Sequence, residues 1–372
     1  MSTLLAADLA LGGLVAPGWA EVDGSVLAAI GHGEPPRAAD EHVDGVLAPG
    51  LFDVQVNGAA GFEVTGGPEA LDAIDALLLA RGVTSYLPTL VSPADATAQA
   101  ALEELAARAA DPLSPVAGVH LEGPFLSREH AGMHPVERLR APADGVPDWL
   151  EHSAVRLVTL APELPGALEL IDRLVARGIT VSLGHSGAGA DVARAAIDAG
   201  ARMVTHVFNA MAPLHHRAPG LAGVALVDDR VRVGVIPDVR HVDPVVLELV
   251  RRSAGPRVVL VTDATPAAGV APGRFTMAGV AIERGSDGTA RTLDGRLAGG
   301  ALTLDEGVRR WDSVTGATLA EAIFAASEAP GLAVGRAAAV PGAPADLVAL
   351  SDTGEVRRVM RAGRWLEPMS PG

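Results

Sequence analysis

The sequence contains no lysine and no cysteine. Without lysine, Schiff-base chemistry, pyridoxal phosphate anchoring, a phosphate-loop lysine and a carboxylated lysine between two metals are all excluded. Without cysteine there is no disulfide, no thiolate nucleophile and no sulfur-ligated zinc, which fits a reducing cytoplasm. A basic run is also missing. The 45 acidic residues outnumber the 29 basic ones, all arginine, for a formal charge of −16, and nucleic-acid binding needs clustered cations. No nucleic-acid partner is expected. No apolar run approaches a membrane span, so no membrane partner is expected either. The apolar stretch from Met1 to Ala20 lacks a cationic start and carries Asp8, so it does not read as a secretory signal.

What is present is enough for a large core: 372 residues, 49% of them hydrophobic and 20% charged. From about residue 46 to about 330, β-branched apolar runs alternate with helical segments. Strands are expected near Val46 to Val56, Thr84 to Leu90, Val116 to Leu121, Val155 to Leu160, Thr180 to Gly184, Arg202 to Val207, Val231 to Ile236 and Val258 to Thr262. Pro68 opens a helix that stops at Gly82, Ser92-Pro93 starts another, and Leu168 to Ala176 is closed by Gly178. No G-x-G-x-x-G follows the first strand, which disfavours a Rossmann sheet. The fold expected is α/β: a (β/α)₈ TIM-like barrel over residues 48–339. The ends, Leu4 to Val46 and Ala345 to Trp365, read as short strands and turns that cannot bury a core alone. Residues 1–47 and 340–372 are therefore expected to pair into a small β-sandwich domain. Arg274 to Arg296, with its Gly285-Ser286-Asp287-Gly288 turn, reads as a hairpin inserted after the eighth strand.

In such a barrel, functional side chains project from the C-terminal ends of strands. Those ends carry Gln55 and Asn57 after the first strand, Glu122 after the third, His185 after the fifth, His206 after the sixth and Asp263 after the eighth. Glu122, His185 and His206 form a two-imidazole, one-carboxylate set suited to a borderline divalent ion with an open position. Asp263 is delivered by an apolar strand onto the same rim and reads as the general base. His120 faces the same side of the third strand as Glu122 but lies deeper, as a buried hydrogen-bonded residue. His215 and His216 read as part of a solvated loop.

The segments PGLFDVQVNGAAGFEVT, HLEGPFLSREHAGMHP, SLGHSGA, THVFNAMAPLHHRAPGLAG, VTDATPAAG and LAGGALTLDEGVRRW resemble, in this order, the N-acetylglucosamine-6-phosphate deacetylase family of the amidohydrolase superfamily. The resemblance runs over most of the chain. It implies a dimeric metal-dependent hydrolase that removes acetate from an N-acetyl amino sugar 6-phosphate. By resemblance, Glu122, His185 and His206 match the metal ligands and Asp263 the catalytic acid/base. His134, preceded by Met133, matches the position beside the substrate amide. Asn209, Ala210, Arg217 and His241 match sugar and phosphate contacts, with Arg217 reaching in from the partner subunit. Leu297, Ala298 and Gly299 match a loop that closes over the sugar, and Asp238, Gln55 and Asn57 are grouped with the substrate contacts. Two positions depart from the family pattern: Asp238-Val239-Arg240 stands where Asp-Gly-x is usual, so that Val239 replaces the glycine, and Gly300 stands where serine is usual.

Gln55 and Asn57 occupy the place of the His-x-His pair of two-metal amidohydrolases. Neutral amides are poor zinc ligands and no lysine exists to bridge, so one divalent ion per chain is expected. Zn²⁺ is the first expectation, with Fe²⁺, Co²⁺ or Mn²⁺ as alternatives. The competing readings are an amidohydrolase acting on an acylated amine without phosphate, and a non-catalytic sugar-phosphate binding barrel.

Overall fold

The computed structural model describes residues 2–367. Eight parallel strands stand side by side in chain order: Leu51–Val56, Val83–Val91, Val119–Glu122, Val155–Leu160, Thr180–Leu183, Met203–Val204, Arg232–Val235 and Val258–Leu260. The last returns to the first through a single bridge between Val56 and Ala264, so the barrel is nearly closed. Every residue of Leu51–Val56 and of Val83–Val91 is buried, as expected for strands covered on both faces. The covering helices form for legible reasons. Pro68–Ala80 has proline in its first turn and buries Leu71, Ile74 and Leu78 on one stripe. Ala167–Ala176 does the same with Leu170, Ile171 and Leu174 and gives way to Gly178 at φ +76°.

Three expectations change in detail. Val46 to Val56 is two strands, because the chain changes partners at Gly50. The Gly50 N–H donates to Asp346 in the terminal sheet at 3.0 Å, and the next N–H, of Leu51, donates to Gly82 at 2.9 Å. A Cβ on Gly50 would lie 2.1 Å from Thr84 Oγ1, so only glycine fits this switch. Ser92-Pro93 does not open the second helix; that helix is Asp95–Ala110, with Ala94 at its N-cap. The inserted hairpin is a three-stranded antiparallel sheet, Gly273–Met277, Val280–Arg284 and Ala290–Thr292. The extra reversal comes at Ala278-Gly279, both at positive φ (52° and 84°), and an alanine there carries no turn signature.

The terminal segments do pair. They make one seven-stranded sheet in the spatial order Arg364–Trp365, Val356–Arg361, Leu347–Leu350, Glu41–Pro49, Thr3–Leu11, Leu14–Asp23, Val26–His32. Glu41–Pro49 joins the two ends of the chain, parallel to Thr3–Leu11 and antiparallel to Leu347–Leu350. The sheet curls until Val26 bridges Pro344 and encloses its own core of Leu5, Leu9, Leu27, Leu47, Leu347 and Met360. Residue 1 and residues 368–372 of the expected small domain lie outside the described residues. No described helix is long and apolar enough to cross a membrane.

Candidate active site

The rim expectation is met by geometry. Glu122 closes the third strand, while His185, His206 and Asp263 follow the fifth, sixth and eighth within a few residues. His185, His206 and Asp263 all sit at positive φ (50°, 27° and 49°), where non-glycine residues cost about 1–3 kcal/mol each and persist only when their surroundings hold them. This turn off the strand ends aims the three side chains inward.

Three donor atoms converge. His206 Nε2 is 3.1 Å from Glu122 Oε1, His185 Nε2 is 3.2 Å from the same oxygen, and the two Nε2 atoms are 3.2 Å apart. A tetrahedral ion with bonds of about 2.0–2.1 Å spaces its ligands about 3.3 Å apart, so the triangle has the dimensions of one tetrahedral face. The orientation of His185 gives the same answer. Its Nδ1 lies 2.9 Å from the His130 carbonyl oxygen, which holds the ring so that Nε2 faces the other two donor atoms, and backbone carbonyls fix metal-binding imidazoles in this way. The donor set fits one divalent ion. Burial would raise Glu122, but hydrogen bonds from His134, His185 and His206 hold its carboxyl well below the ordinary range. His206, which burial would lower, is raised by the adjacent Glu122.

Asp263 stands beside this triangle. Gln55 Nε2 at 3.0 Å and Asn57 Nδ2 at 2.8 Å both donate to its Oδ1, and among the described residues no group hydrogen-bonds Oδ2. Burial and the Glu122 charge push the Asp263 carboxyl up to about 6. Gln55 Nε2 also donates to Glu122 Oε1 at 3.1 Å, so this amide holds the two carboxylates apart from behind the pocket floor. His134 is buried, with Nε2 3.6 Å from Glu122 Oε2. Burial and the neighbouring His185 lower it to about 4, so it is neutral near pH 7. His120 is the buried structural residue expected, between Thr89 Oγ1 at 3.1 Å and Thr159 Oγ1 at 2.8 Å.

These groups line a cavity of about 300 Å³, whose wall also includes Met133, Asn209, Ala210, His241, Leu297 and Gly299. The cavity thus gathers most of the residues expected in the site. Asp238 stands one layer back: its Oδ2 is 2.7 Å from His241 Nδ1, and its Oδ1 accepts from the Arg240 and His241 N–H groups at 2.8 Å each. Despite burial, the His241 hydrogen bond keeps its carboxyl below the usual value. Val239, between them, keeps φ at +55°, the conformation that a glycine adopts freely. Ala298 is turned under the inserted sheet against Met277 and Ile282. Arg217 is not in this cavity. Its side chain is exposed, and NH1 lies 2.8 Å from His216 Nε2.

Four lining residues, Val91, Gly132, Met277 and Arg296, escaped the sequence reading. Val91 and Met277 add apolar wall, and Arg296 lines the mouth while donating to the Gly132 carbonyl at 2.7 Å. That bond ties the inserted sheet to the segment carrying His134.

The chain is 38% identical over 351 residues to the N-acetylgalactosamine-6-phosphate deacetylase of Escherichia coli O157:H7, a match covering 91% of this chain and 92% of that protein. It is 39% identical over 355 residues to the N-acetylglucosamine-6-phosphate deacetylase of Homo sapiens, covering 89% of this chain and 86% of that one. It belongs to the N-acetylglucosamine-6-phosphate deacetylase family. Solved members of that deacetylase family share the whole fold. The enzyme of Mycobacterium smegmatis superposes with a TM-score of 0.89 at 34% identity, covering 98% of this chain and 100% of that one. A variant of that deacetylase in complex with N-acetyl-D-glucosamine 6-phosphate gives a TM-score of 0.90. No family profile matches the chain.

Proposed function

We propose that the chain hydrolyses the acetamide of N-acetyl-D-glucosamine 6-phosphate, releasing acetate and glucosamine 6-phosphate. The observation that carries this reading is the Glu122, His185 and His206 donor triangle beside a carboxylate with one free oxygen, in a chain of this family. Glu122, His185 and His206 would hold one divalent ion, Zn²⁺ in the first instance. When bound, such an ion supplies Lewis acidity, polarising an amide carbonyl and making water a stronger acid.

The residues of the chain do the rest. Asp263 Oδ2 takes a proton from the attacking water and delivers it to the leaving nitrogen, and a carboxyl raised to about 6 is matched to both transfers. Gln55 and Asn57 hold Asp263 Oδ1, so the free oxygen faces the reaction. His134 donates to the carbonyl oxygen as negative charge grows there. Met133, Val91, Met277 and Leu297 exclude water from the acyl side. His241, fixed by Asp238, and Asn209 with Ala210 take the sugar and phosphate, and Arg217 of a second copy completes the phosphate site.

This reading treats the active form as a homodimer in the cytoplasm, with residues 1–47 and 340–372 as the small domain and 48–339 as the barrel. Separate hydrophobic cores in the terminal sheet and the barrel support that division. The 4-epimer is a second candidate substrate, favoured by the 38% identity to the galactosamine-type relative. The test is acetate release from both N-acetylhexosamine 6-phosphates and from unphosphorylated N-acetylglucosamine, with metal analysis of the same preparation. Rapid release from a phosphorylated sugar alone is expected. No release from either phosphorylated sugar by metal-loaded protein would overturn the reading.

A further inference from the structure

We propose that Ser92 is a positioning residue that fixes the ring tautomer of His134, so that Nε2 presents its hydrogen to the cavity. The inference rests on the deacetylase reading above. Ser92 directly follows the second barrel strand, Val83–Val91, and is fully buried. Its Oγ lies 2.7 Å from His134 Nδ1. The other ring nitrogen, Nε2, faces Glu122 Oε2 at 3.6 Å and lines the cavity.

A neutral imidazole carries one N–H, and two arrangements are open to it. If Nδ1 held the hydrogen, it would donate to Ser92, and the serine hydroxyl would be left with the Glu122 carbonyl oxygen at 3.5 Å. Nε2 would then turn a lone pair on a carboxylate. If the serine hydroxyl donates to Nδ1, the 2.7 Å bond is kept, the long contact is not needed, and Nε2–H points at a negative oxygen. The second arrangement keeps the short bond and turns a hydrogen rather than a lone pair toward the carboxylate.

The serine is itself clamped for this task. Its N–H donates to the Glu122 carbonyl at 2.8 Å, its φ is +34°, and a Cβ on Gly123 would lie 2.4 Å from its Oγ. The serine backbone is thus fixed, and only glycine at position 123 leaves room for the hydroxyl where it meets His134. The consequence is a neutral donor already aimed at the place where the amide carbonyl oxygen gains charge, with no proton to be acquired first.

The test uses Ser92→Ala and Ser92→Gly, the glycine variant being free of strain at this φ. Both are expected to bind metal normally, to lose about tenfold or more in kcat and to change KM little. In a His134→Ala background the same changes should cost almost nothing further, because the serine acts through the ring. In the Zn²⁺-loaded protein labelled with ¹⁵N-histidine, His134 should show the Nε2–H form, and the Ser92→Gly protein a mixture of both tautomers. An equal kcat loss in both backgrounds, an undiminished kcat, or an unchanged His134 spectrum in Ser92→Gly would overturn the proposal. The ring spectrum reads the serine even if no sugar phosphate is hydrolysed, so failure of the deacetylase reading shows separately.

Discussion

Thr262 Oγ1 donates to Asp53 Oδ2 at 2.5 Å, and this bond joins the two barrel edges where the backbone ladder is reduced to one bridge. Asp53 Oδ1 also receives the Gln55 N–H at 3.2 Å, so one carboxyl braces the segments carrying Gln55, Asn57 and Asp263.

That brace has a pH signature. Burial pushes Asp53 from 3.8 up to about 7, so between those values the folded chain holds a proton that the unfolded chain has released. Stability from this group is complete below about pH 4, is lost as pH rises towards 7, and is constant above. The loss is of the order of a few kcal/mol. Asp53→Asn keeps an acceptor for Thr262 and removes the charge. Denaturant titrations from pH 4 to 8 should show the parent losing stability relative to the variant; parallel curves would contradict the assignment.

Metal content gives a second expectation. His206→Ala removes one corner of the donor triangle and should lose metal and acetate release together, while the parent holds one ion per chain and is inactivated by chelation. Two tightly held ions per chain, or full activity after thorough chelation, would count against the single site.

For Asp263→Asn, the shape and the amide contacts remain but proton transfer does not. Metal and substrate binding should persist while kcat falls by about 10²- to 10⁴-fold. A near-normal kcat would move the acid/base role to another group.

How far the site was legible follows from these residues. Glu122, His185, His206 and Asp263 could be read because strand-helix alternation puts every strand's C-terminal end on one face, whatever their separation in sequence. Ser92 could not, because Ser-Pro after a strand is also a helix-start signal, and only the fold shows its hydroxyl on His134 rather than on a helix N–H. Arg296 and Met277 depend on how the inserted sheet folds back, which the positive φ at Ala278 decides. Asp53 looks like any alternating strand position until the barrel closes on Thr262. Gly50 hides a change of sheet within an unbroken apolar run.

Gly300 stands where the family pattern has serine, and the structure gives the consequence. A Cβ there would lie 2.0 Å from the Thr262 carbonyl oxygen, and the Gly300 N–H donates to the Asp263 carbonyl at 2.8 Å. Gly300→Ser must push the strand end that carries Asp263. A loss of about 1–3 kcal/mol in stability and a lower kcat are expected, measured by thermal unfolding and acetate release. An unchanged Tm would mean that the backbone yields there at no cost.

Arg217 follows His215-His216 in the loop between the sixth strand and the helix Gly220–Val227, closed by a bridge between His215 and Ala218. Its guanidinium is exposed and away from the cavity of its own chain, while that cavity offers His241 but no arginine beyond Arg296 at the mouth. A planar fork of this kind suits a phosphate, and a second copy could bring it there. Arg217→Ala should then raise KM for the phosphorylated sugar by about tenfold or more, the worth of a charged hydrogen bond, and leave the unphosphorylated sugar nearly unaffected. Mixing Arg217→Ala with Asp263→Asn chains separates the two possible origins of the arginine. In a hybrid dimer, one site combines an intact Asp263 with the arginine of the other chain. Random reassortment should restore about a quarter of parental activity, since half the dimers are hybrids with one complete site each. If the arginine served its own chain, no site in the hybrid would be complete, and activity would stay at the level of the separate variants.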